Sequence, residues 1–516
     1  MQAIKFTAAI LAFGLTAAAS AGAAPQAGIT IDTAHPGPVI NKNIYGQFAE
    51  HLGRGIYGGL WVGPESKIPN TRGWRKDAVG ALKALHVPVV RWPGGCFADQ
   101  YHWREGIGPR NKRPVKVNTN WGGVEESNAV GTHEFFDLVD QIGAEAYVNG
   151  NLGTGSAQET AEWVEYMTSD SQSTLARLRA ANGHPKPFRL AFFAIGNEAW
   201  GCGGQMTPEY YTNLYNQYSS FIHASHMPTL IASGGNDSDL AWTDYLSKNL
   251  RGNGGGITFH YYTLPTGNWE KKGSATGFGE DQWFSTLKAT LKMDDIITRN
   301  VAKLEQNDPA KKYSFVIDEW GTWYDQSPDA NSGILQQQNS LRDAVLAALN
   351  FNIFQAHADR VSMANIAQMV NVLQSMILTE KDKMVLTPTY HAFKMYVPFQ
   401  DASSLPVKIE GNPQYGFGNE GIPMLSASAA RGKDGALYLA LVNTNPNESI
   451  EVAVDVAGGK AVSASGSVLT ADAMDAHNTF SQPDAIKPEA VSASASGGKL
   501  TLKLPAKSVS VFTVNQ

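Results

Sequence analysis

Between about Tyr45 and Gln400 the chain repeats one pattern: a short apolar run, a polar or turn residue at its end, then an amphipathic helical stretch. The runs cover residues 44–48, 87–90, 146–149, 190–195, 229–232, 257–260, 315–317 and 361–364. Runs this short and this uniformly apolar fit strands buried on both faces of a parallel sheet. Pro88 cannot donate to a ladder but is tolerated where a strand begins. Helix signals lie between the runs. Ser156 with Glu159 forms a capping-box pattern ahead of Ala161, Val164 and Met167. Thr207-Pro208 puts a cap residue before a proline at the first helical position. Phe135, Leu138, Val139 and Ile142 mark one apolar helix face. Eight such units over ~350 residues predict a (β/α)8 TIM barrel with long loops.

After about Gln400 the period changes. Leu437, Leu439 and Leu441 alternate with other residues, as do Val452, Val454 and Val456, and Leu500, Leu502 and Leu504. Period-two alternation broken by Gly, Asn and Pro predicts a C-terminal antiparallel β-sandwich domain. Residues 27–43 also read as extended and are assigned to the same module. The expected division is a leader at 1–24, a catalytic barrel at 45–395, and a sandwich built from 25–44 with 396–516.

A chain of 516 residues has room for a large barrel and a second module. Its hydrophobic share of 43% and charged share of 17% suit a soluble globular protein, and a net charge of −6 offers nothing to a nucleic-acid partner. Lys5, the apolar stretch at 8–15 and Ala19-Ser20-Ala21 read as a secretion signal cut near Ala21 to Ala24. The protein is therefore expected to be secreted or periplasmic, and free of the membrane after cleavage. The two cysteines, Cys96 and Cys202, are too few for a disulfide framework, although a single bridge stays open. Neither has a metal-ligand spacing, and neither HExxH nor CxxC occurs, so no metal and no cofactor are expected.

Two of the apolar runs end in glutamate. Glu198 closes Phe192-Phe193-Ala194-Ile195-Gly196-Asn197, and Glu319 closes Phe315-Val316-Ile317-Asp318. Barrel enzymes place catalytic groups at the C-terminal ends of strands. Cleavage of a glycosidic bond needs one protonated and one ionised carboxyl group, and two glutamates in unlike surroundings meet that need. Other strand ends carry Glu50, Arg91, Asn149, His260, Tyr262 and Gln368. Each alone reads as a loop anchor; together they read as a sugar pocket. The amide of Asn197 could bond a sugar hydroxyl, and Trp320 could form an aromatic wall.

The stretches Ile44-Tyr45-Gly46-Gln47-Phe48-Ala49-Glu50-His51-Leu52-Gly53, Arg91-Trp92-Pro93-Gly94-Gly95-Cys96-Phe97, Gly108-Pro109-Arg110, Gly196-Asn197-Glu198, Trp200-Gly201-Cys202-Gly203-Gly204, Asp318-Glu319-Trp320 and Asn365-Ile366-Ala367-Gln368 are specific in combination. With them, and with the segment from Leu469 to Pro483, the chain resembles α-L-arabinofuranosidases of glycoside hydrolase family 51 from about residue 28 to its end. The resemblance implies Glu198 as general acid/base, Glu319 as nucleophile, and retention through a covalent arabinosyl-enzyme. It implies that Glu50, Cys96, Asn197, Tyr262 and Gln368 contact the arabinose, and that Arg91 keeps Glu319 ionised. It implies arabinose-containing plant polysaccharides or oligosaccharides as substrates and is compatible with a homo-oligomer. A Cys96 thiol in the pocket would mean that Cys96 and Cys202 are not bridged. Competing readings are an endo-acting glucanase or xylanase, and a carbohydrate-binding protein that has lost catalysis.

Overall fold

In the computed structural model, residues 24–237, 239–326, 334–497 and 499–516 are described; the expected leader up to residue 23 lies outside them. Eight parallel strands close into a barrel: β1 (Gly46–Phe48), β2 (Val89–Trp92), β3 (Glu145–Gly150), β4 (Leu190–Ile195), β5 (Thr229–Ala232), β6 (Gly255–Thr263), β7 (Tyr313–Thr322) and β8 (Val361–Ile366). All eight expected runs are strands. The first is shorter than its sequence suggests, because Lys42–Tyr45 forms a 3-10 turn. Pro88 stands just outside β2, where its carbonyl accepts from the Glu145 N–H at 2.8 Å.

The barrel interior is filled by Val89, Tyr147, Ala194, Ile231, Val316 and Met363, all buried. This layer is the packed floor on which a site at the strand ends must stand. Alternation along a strand sends Val89 and Arg91 inward, and sends Trp92 out to stack on Phe135 of the helix Thr132–Ile142 at 4.9 Å. In the helix Ala157–Thr168, Ser156 Oγ caps the Glu159 N–H, as expected. The Glu159 carboxylate does not complete the box. It meets His102 Nδ1 at 2.9 Å instead.

The C-terminal part is a sandwich. One sheet runs Val407–Glu410, Gln26–Asp32, Ile450–Ala457, Leu500–Leu504; the other has six strands centred on Leu437–Asn443 and Ser508–Asn515. The N-terminal strand Gln26–Asp32 lies antiparallel to Val407–Glu410 and parallel to Ile450–Ala457. The chain thus begins in the sandwich before entering the barrel.

The helix Leu341–Ala356 joins the two parts. Every residue except Ala356 is buried, which requires cover on all sides. One side packs on β7: Trp320 meets Phe351 at 5.8 Å and Phe354 at 5.4 Å between ring centroids. The other meets the sandwich, where Ser426 Oγ accepts from Asn352 Nδ2 at 3.0 Å and Gln355 Oε1 accepts from Ser428 Oγ. Phe351 also touches Tyr45, Phe393 and Tyr396. Phe351→Ala should therefore cost about 3–5 kcal/mol, read as a lowered denaturation midpoint. An unmoved midpoint would show that this helix does not bind the two parts together.

Candidate active site

Arg91 stands at the centre of the C-terminal end of the barrel, 1% exposed. Its Nη1 donates to Glu319 Oε1 at 2.8 Å, its Nη2 to Asn197 Oδ1 at 2.6 Å, and its Nε is ion-paired with Asp318 Oδ2 at 3.1 Å. Phe48 lies against its guanidinium face at 4.6 Å. A buried cation needs this much compensation. The bond to Asn197 Oδ1 also fixes the Asn197 amide, so that its NH2 group is the end left for another partner.

Glu319 and Asp318 are neighbours in sequence, yet both face this cation. Strict alternation from inward-facing Val316 would turn Asp318 inward and Glu319 outward. The strand pairing breaks instead: Thr258 lies opposite Val316 but His260 lies opposite Glu319, so β7 carries an extra residue. This bulge brings both carboxylates inward. Trp320 then points outward, fully buried among phenylalanines. It is not the aromatic wall that its place beside Glu319 suggested.

His260 connects the two arms of the site. One ring nitrogen, Nδ1, lies 2.8 Å from Glu198 Oε1, and Nε2 lies 3.0 Å from Asp318 Oδ1. Burial opposes a charge on His260, but Glu319, Asp318 and Glu198 outweigh it and hold its pKa up at about 10. Burial likewise works against ionised Asp318, while Arg91 and His260 keep its pKa below the usual value. For Glu198 burial dominates, aided by the negative Glu319, and its pKa is raised. Tyr262 OH donates to Glu319 Oε2 at 2.8 Å. Carboxylate oxygens of Glu198 and Glu319 and a ring nitrogen of His260 lie within 4.8 Å of one another. A cation could bridge such a set, but these atoms are already engaged by Arg91, Tyr262, Asp318 and each other.

Glu50 forms the opposite wall. Its Oε1 accepts from the Gly95 and Phe97 N–H groups and from Trp121 Nε1, and its Oε2 accepts from Gln368 Nε2 at 3.1 Å. Burial and the nearby Glu319 push its pKa up to about 7 despite these donors. The glycines of the Pro93-Gly94-Gly95 turn allow the close approach. A Cβ on Gly94 would stand 2.6 Å from Glu50 Cγ, and one on Gly95 2.5 Å from Glu319 Oε1. Asn149 serves this turn, donating to the Gly94 carbonyl at 3.0 Å.

All eight expected site residues, Glu50, Arg91, Cys96, Asn197, Glu198, Tyr262, Glu319 and Gln368, thus converge on one cavity of about 110 Å³. Its lining includes Glu50, Cys96, Glu198, Tyr262, Glu319 and Gln368. Arg91 and Asn197 sit directly behind it. Cys96 is there as a half-cystine, not a thiol, because it is bridged to Cys202.

Leu52, from the first of the matching stretches, also lines the cavity, and Trp121, Trp323, Leu335 and Leu373, which no sequence signal singled out, complete the lining. They sit on loops, where periodicity gives no signal. Asp99 was also missed. It is buried and accepts from the N–H groups of Leu152, Gly153 and Asn197, tying three loops together. A larger groove of about 1010 Å³ is lined by Tyr215, Thr229, Gly255 and Lys312. It lies at the strand starts, away from both glutamates.

Comparison with known proteins agrees with this geometry. Residues 81–274 match the model of the "Alpha-L-arabinofuranosidase 1 domain" and residues 318–508 that of the "Alpha-L-arabinofuranosidase C-terminal domain". A Bacteroides ovatus protein named "Intracellular exo-alpha-L-arabinofuranosidase" is 47% identical over 96% of this chain and 97% of its own length. The crystal structure of a GH51 arabinofuranosidase from Xanthomonas axonopodis pv. citri superposes with a TM-score of 0.92 at 48% identity, covering 95% of this chain and all of that one. An α-L-arabinofuranosidase from Thermotoga maritima, solved as an arabinose complex, gives 0.83 at 30% identity over 94% and 99% of the two chains. The name of the Bacteroides ovatus relative overturns the expectation of a secreted or periplasmic protein with a cleaved signal, since that relative is intracellular. An apolar, alanine-rich start is a weak address when judged from composition alone. The site, the fold and these relatives agree: the chain belongs to the α-L-arabinofuranosidases of glycoside hydrolase family 51.

Proposed function

We propose that this chain is a retaining, exo-acting α-L-arabinofuranosidase that frees terminal α-L-arabinofuranosyl residues from arabinose-containing polysaccharides or oligosaccharides. The carrying observation is that oxygens of Glu198 and Glu319 approach within 4.8 Å across a cavity of about 110 Å³. Inverting enzymes keep their carboxyl groups ~6.5–9.5 Å apart to admit a water; retaining enzymes hold them at ~5–5.5 Å. A cavity this small suits one sugar ring at a chain end. An endo-acting glucanase or xylanase would need a groove that accepts sugars on both sides of the scissile bond. Loss of catalysis in a mere binding protein leaves the intact carboxylate network without a purpose.

On this reading Glu319 attacks the anomeric carbon. Arg91 on Oε1 and Tyr262 on Oε2 orient it and stabilise its charge. Glu198, whose pKa is raised by burial, gives its proton to the departing oxygen. It then takes a proton from the water that releases arabinose. His260 holds Glu198 in place from behind. The Asn197 NH2 group, left open by the Arg91 bond, binds a hydroxyl beside the reacting carbon. Glu50 Oε2 has spare acceptor capacity for another hydroxyl, and Gln368 and Cys96 close the ring's far side. Residues 45–395 act as the catalytic unit, and 25–44 with 396–516 as its sandwich support.

Glu319→Ala should abolish release of p-nitrophenol from the α-L-arabinofuranoside, with kcat down by at least about 10⁴-fold. Glu198→Ala should lose about 10²–10⁴-fold on substrates with poor leaving groups but far less on p-nitrophenol. Azide should rescue it by attacking the arabinosyl-enzyme from the face the leaving group vacated. The product would be the α-azide, with the same anomeric configuration as the substrate. A β-azide, or wild-type rates in either variant, would refute the roles.

The pH profile gives a second test. Glu198 works protonated, so kcat/KM should fall as pH rises through its raised pKa, above the ordinary glutamate value of about 4.3. That basic limb should vanish in Glu198→Ala. Its persistence there would assign it to another group, with Glu50 first in line.

A further inference from the structure

The chain has only two cysteines, and their bridge touches the site. It ties the loop after β2 to the loop after β4, across 106 residues. Cys202 is exposed and Cys96 partly buried, so a dissolved thiol can approach the bridge from the Cys202 side. Cys202 Sγ lies 3.5 Å from Glu198 Oε2 and 3.7 Å from Asn197 Nδ2, and Cys96 lines the cavity. As half of a disulfide, Cys202 carries no proton. Glu198 Oε2 therefore faces a sulfur that cannot donate to it, and its neighbour Oε1 takes the only strong contact, from His260.

We propose that the Cys96–Cys202 bridge is a thiol–disulfide exchange site that sets the proton affinity of Glu198, the oxidised form being the better acid catalyst at neutral pH. The proposal rests on Glu198 being the general acid. The exchange needs a dithiol reductant. A thiolate of that dithiol attacks the exposed Cys202 sulfur, forming a mixed disulfide and expelling the Cys96 thiolate, which takes up a proton. The second thiol of the dithiol then displaces Cys202, which leaves as a thiol, and the reductant departs as a cyclic disulfide. Two electrons and two protons have entered the protein.

The new Cys202 S–H can donate to Glu198 Oε2. A donor to the carboxylate favours the ionised form, so Glu198 surrenders its proton at lower pH. The other groups facing Glu198 are His260 at 2.8 Å, Glu319, Arg91 and Tyr262. None of them gains or loses a bond in the exchange. The change falls on the acid alone, and a weaker hold on the proton matters most where the leaving group needs it.

The test compares native enzyme before and after dithiothreitol. Oxidised protein should show no titratable thiol and reduced protein two. Reduction should move the basic limb of kcat/KM down by about 0.5–1 pH unit. At pH 7 it should lower kcat/KM on an alkyl α-L-arabinofuranoside about 3–10-fold and spare the p-nitrophenyl substrate. Reoxidation should reverse both effects. The double variant Cys96→Ser/Cys202→Ser, which keeps a donor beside Glu198, should show the reduced profile and ignore dithiothreitol. A bridge that resists reduction in the native enzyme overturns the proposal. So does an unmoved limb, or an equal loss on both substrates, which would mean that the bridge only stiffens the loops. Absence of azide rescue in Glu198→Ala would instead remove the acid role on which the proposal rests. Should the serine variant fail to fold, the reduced and reoxidised wild type carry the test.

Discussion

Everything at the mouth of this barrel is arranged around one buried cation. Arg91 has almost no access to water, so each of its nitrogens must be met by protein, and they are met by Asp318, Glu319 and Asn197. Those three residues come from the end of β7 and the loop after β4, three strands apart in the closed barrel. The cation therefore acts as a clasp: it can be satisfied only when the ends of β2, β4 and β7 are in register. His260 adds a second positive charge and joins Asp318 to Glu198. Both cations also face Asp318 and Glu319, so for Glu198 the hold of His260 and Arg91 is outweighed by burial and the neighbouring Glu319, and its pKa is raised. Glu198 and Glu319 differ because of where the cations stand, not because of what the residues are.

The clasp depends on a departure from regular strand geometry. In an unbroken strand Asp318 and Glu319 would lie on opposite faces. The extra residue in β7 turns both inward and leaves Trp320 to the helix layer. One bulge thus brings two carboxylates, Asp318 and Glu319, side by side onto Arg91. The glycine pair after β2 is the matching device on the other wall. With any side chain at Gly95, Glu319 Oε1 could not occupy its place against Arg91. Close packing of charged groups here comes from removing side chains as much as from adding them.

This explains what could be read in the sequence and what could not. The eight barrel strands were legible because burial on both faces leaves an unbroken apolar run, and the sandwich because half-burial leaves alternation. The strand-end residues Glu50, Arg91, Asn197, Glu198, Tyr262, Glu319 and Gln368 were legible because polar residues are rare at the end of such runs. Trp320 was misread for the same kind of reason: period-two reasoning cannot see a bulge. Trp121, Trp323 and Asp99 were silent because loops have no period. Cys96 and Cys202 could not be paired from sequence, since two cysteines 106 residues apart meet only once the β2 and β4 loops are neighbours on the closed rim.

The sandwich is part of the same logic, although among the described residues it contributes no group to the cavity lining. Barrel strands are held from outside by their helices, and the helix Leu341–Ala356 that backs β7 is itself buried from both sides. Its outer side is covered by sandwich strands through Ser426 and Ser428. Trp283, on another barrel helix, donates to the Thr444 carbonyl of the sandwich at 2.9 Å. Trp320 therefore has a rigid wall to pack against, and this wall keeps it pointing outward. With Trp320 anchored, the bulge beside it has one stable form, and Glu319 stays inward on Arg91. The remote module thereby contributes to the position of Glu319 through packing alone, along a path from sandwich to helix to Trp320 to the carboxylate.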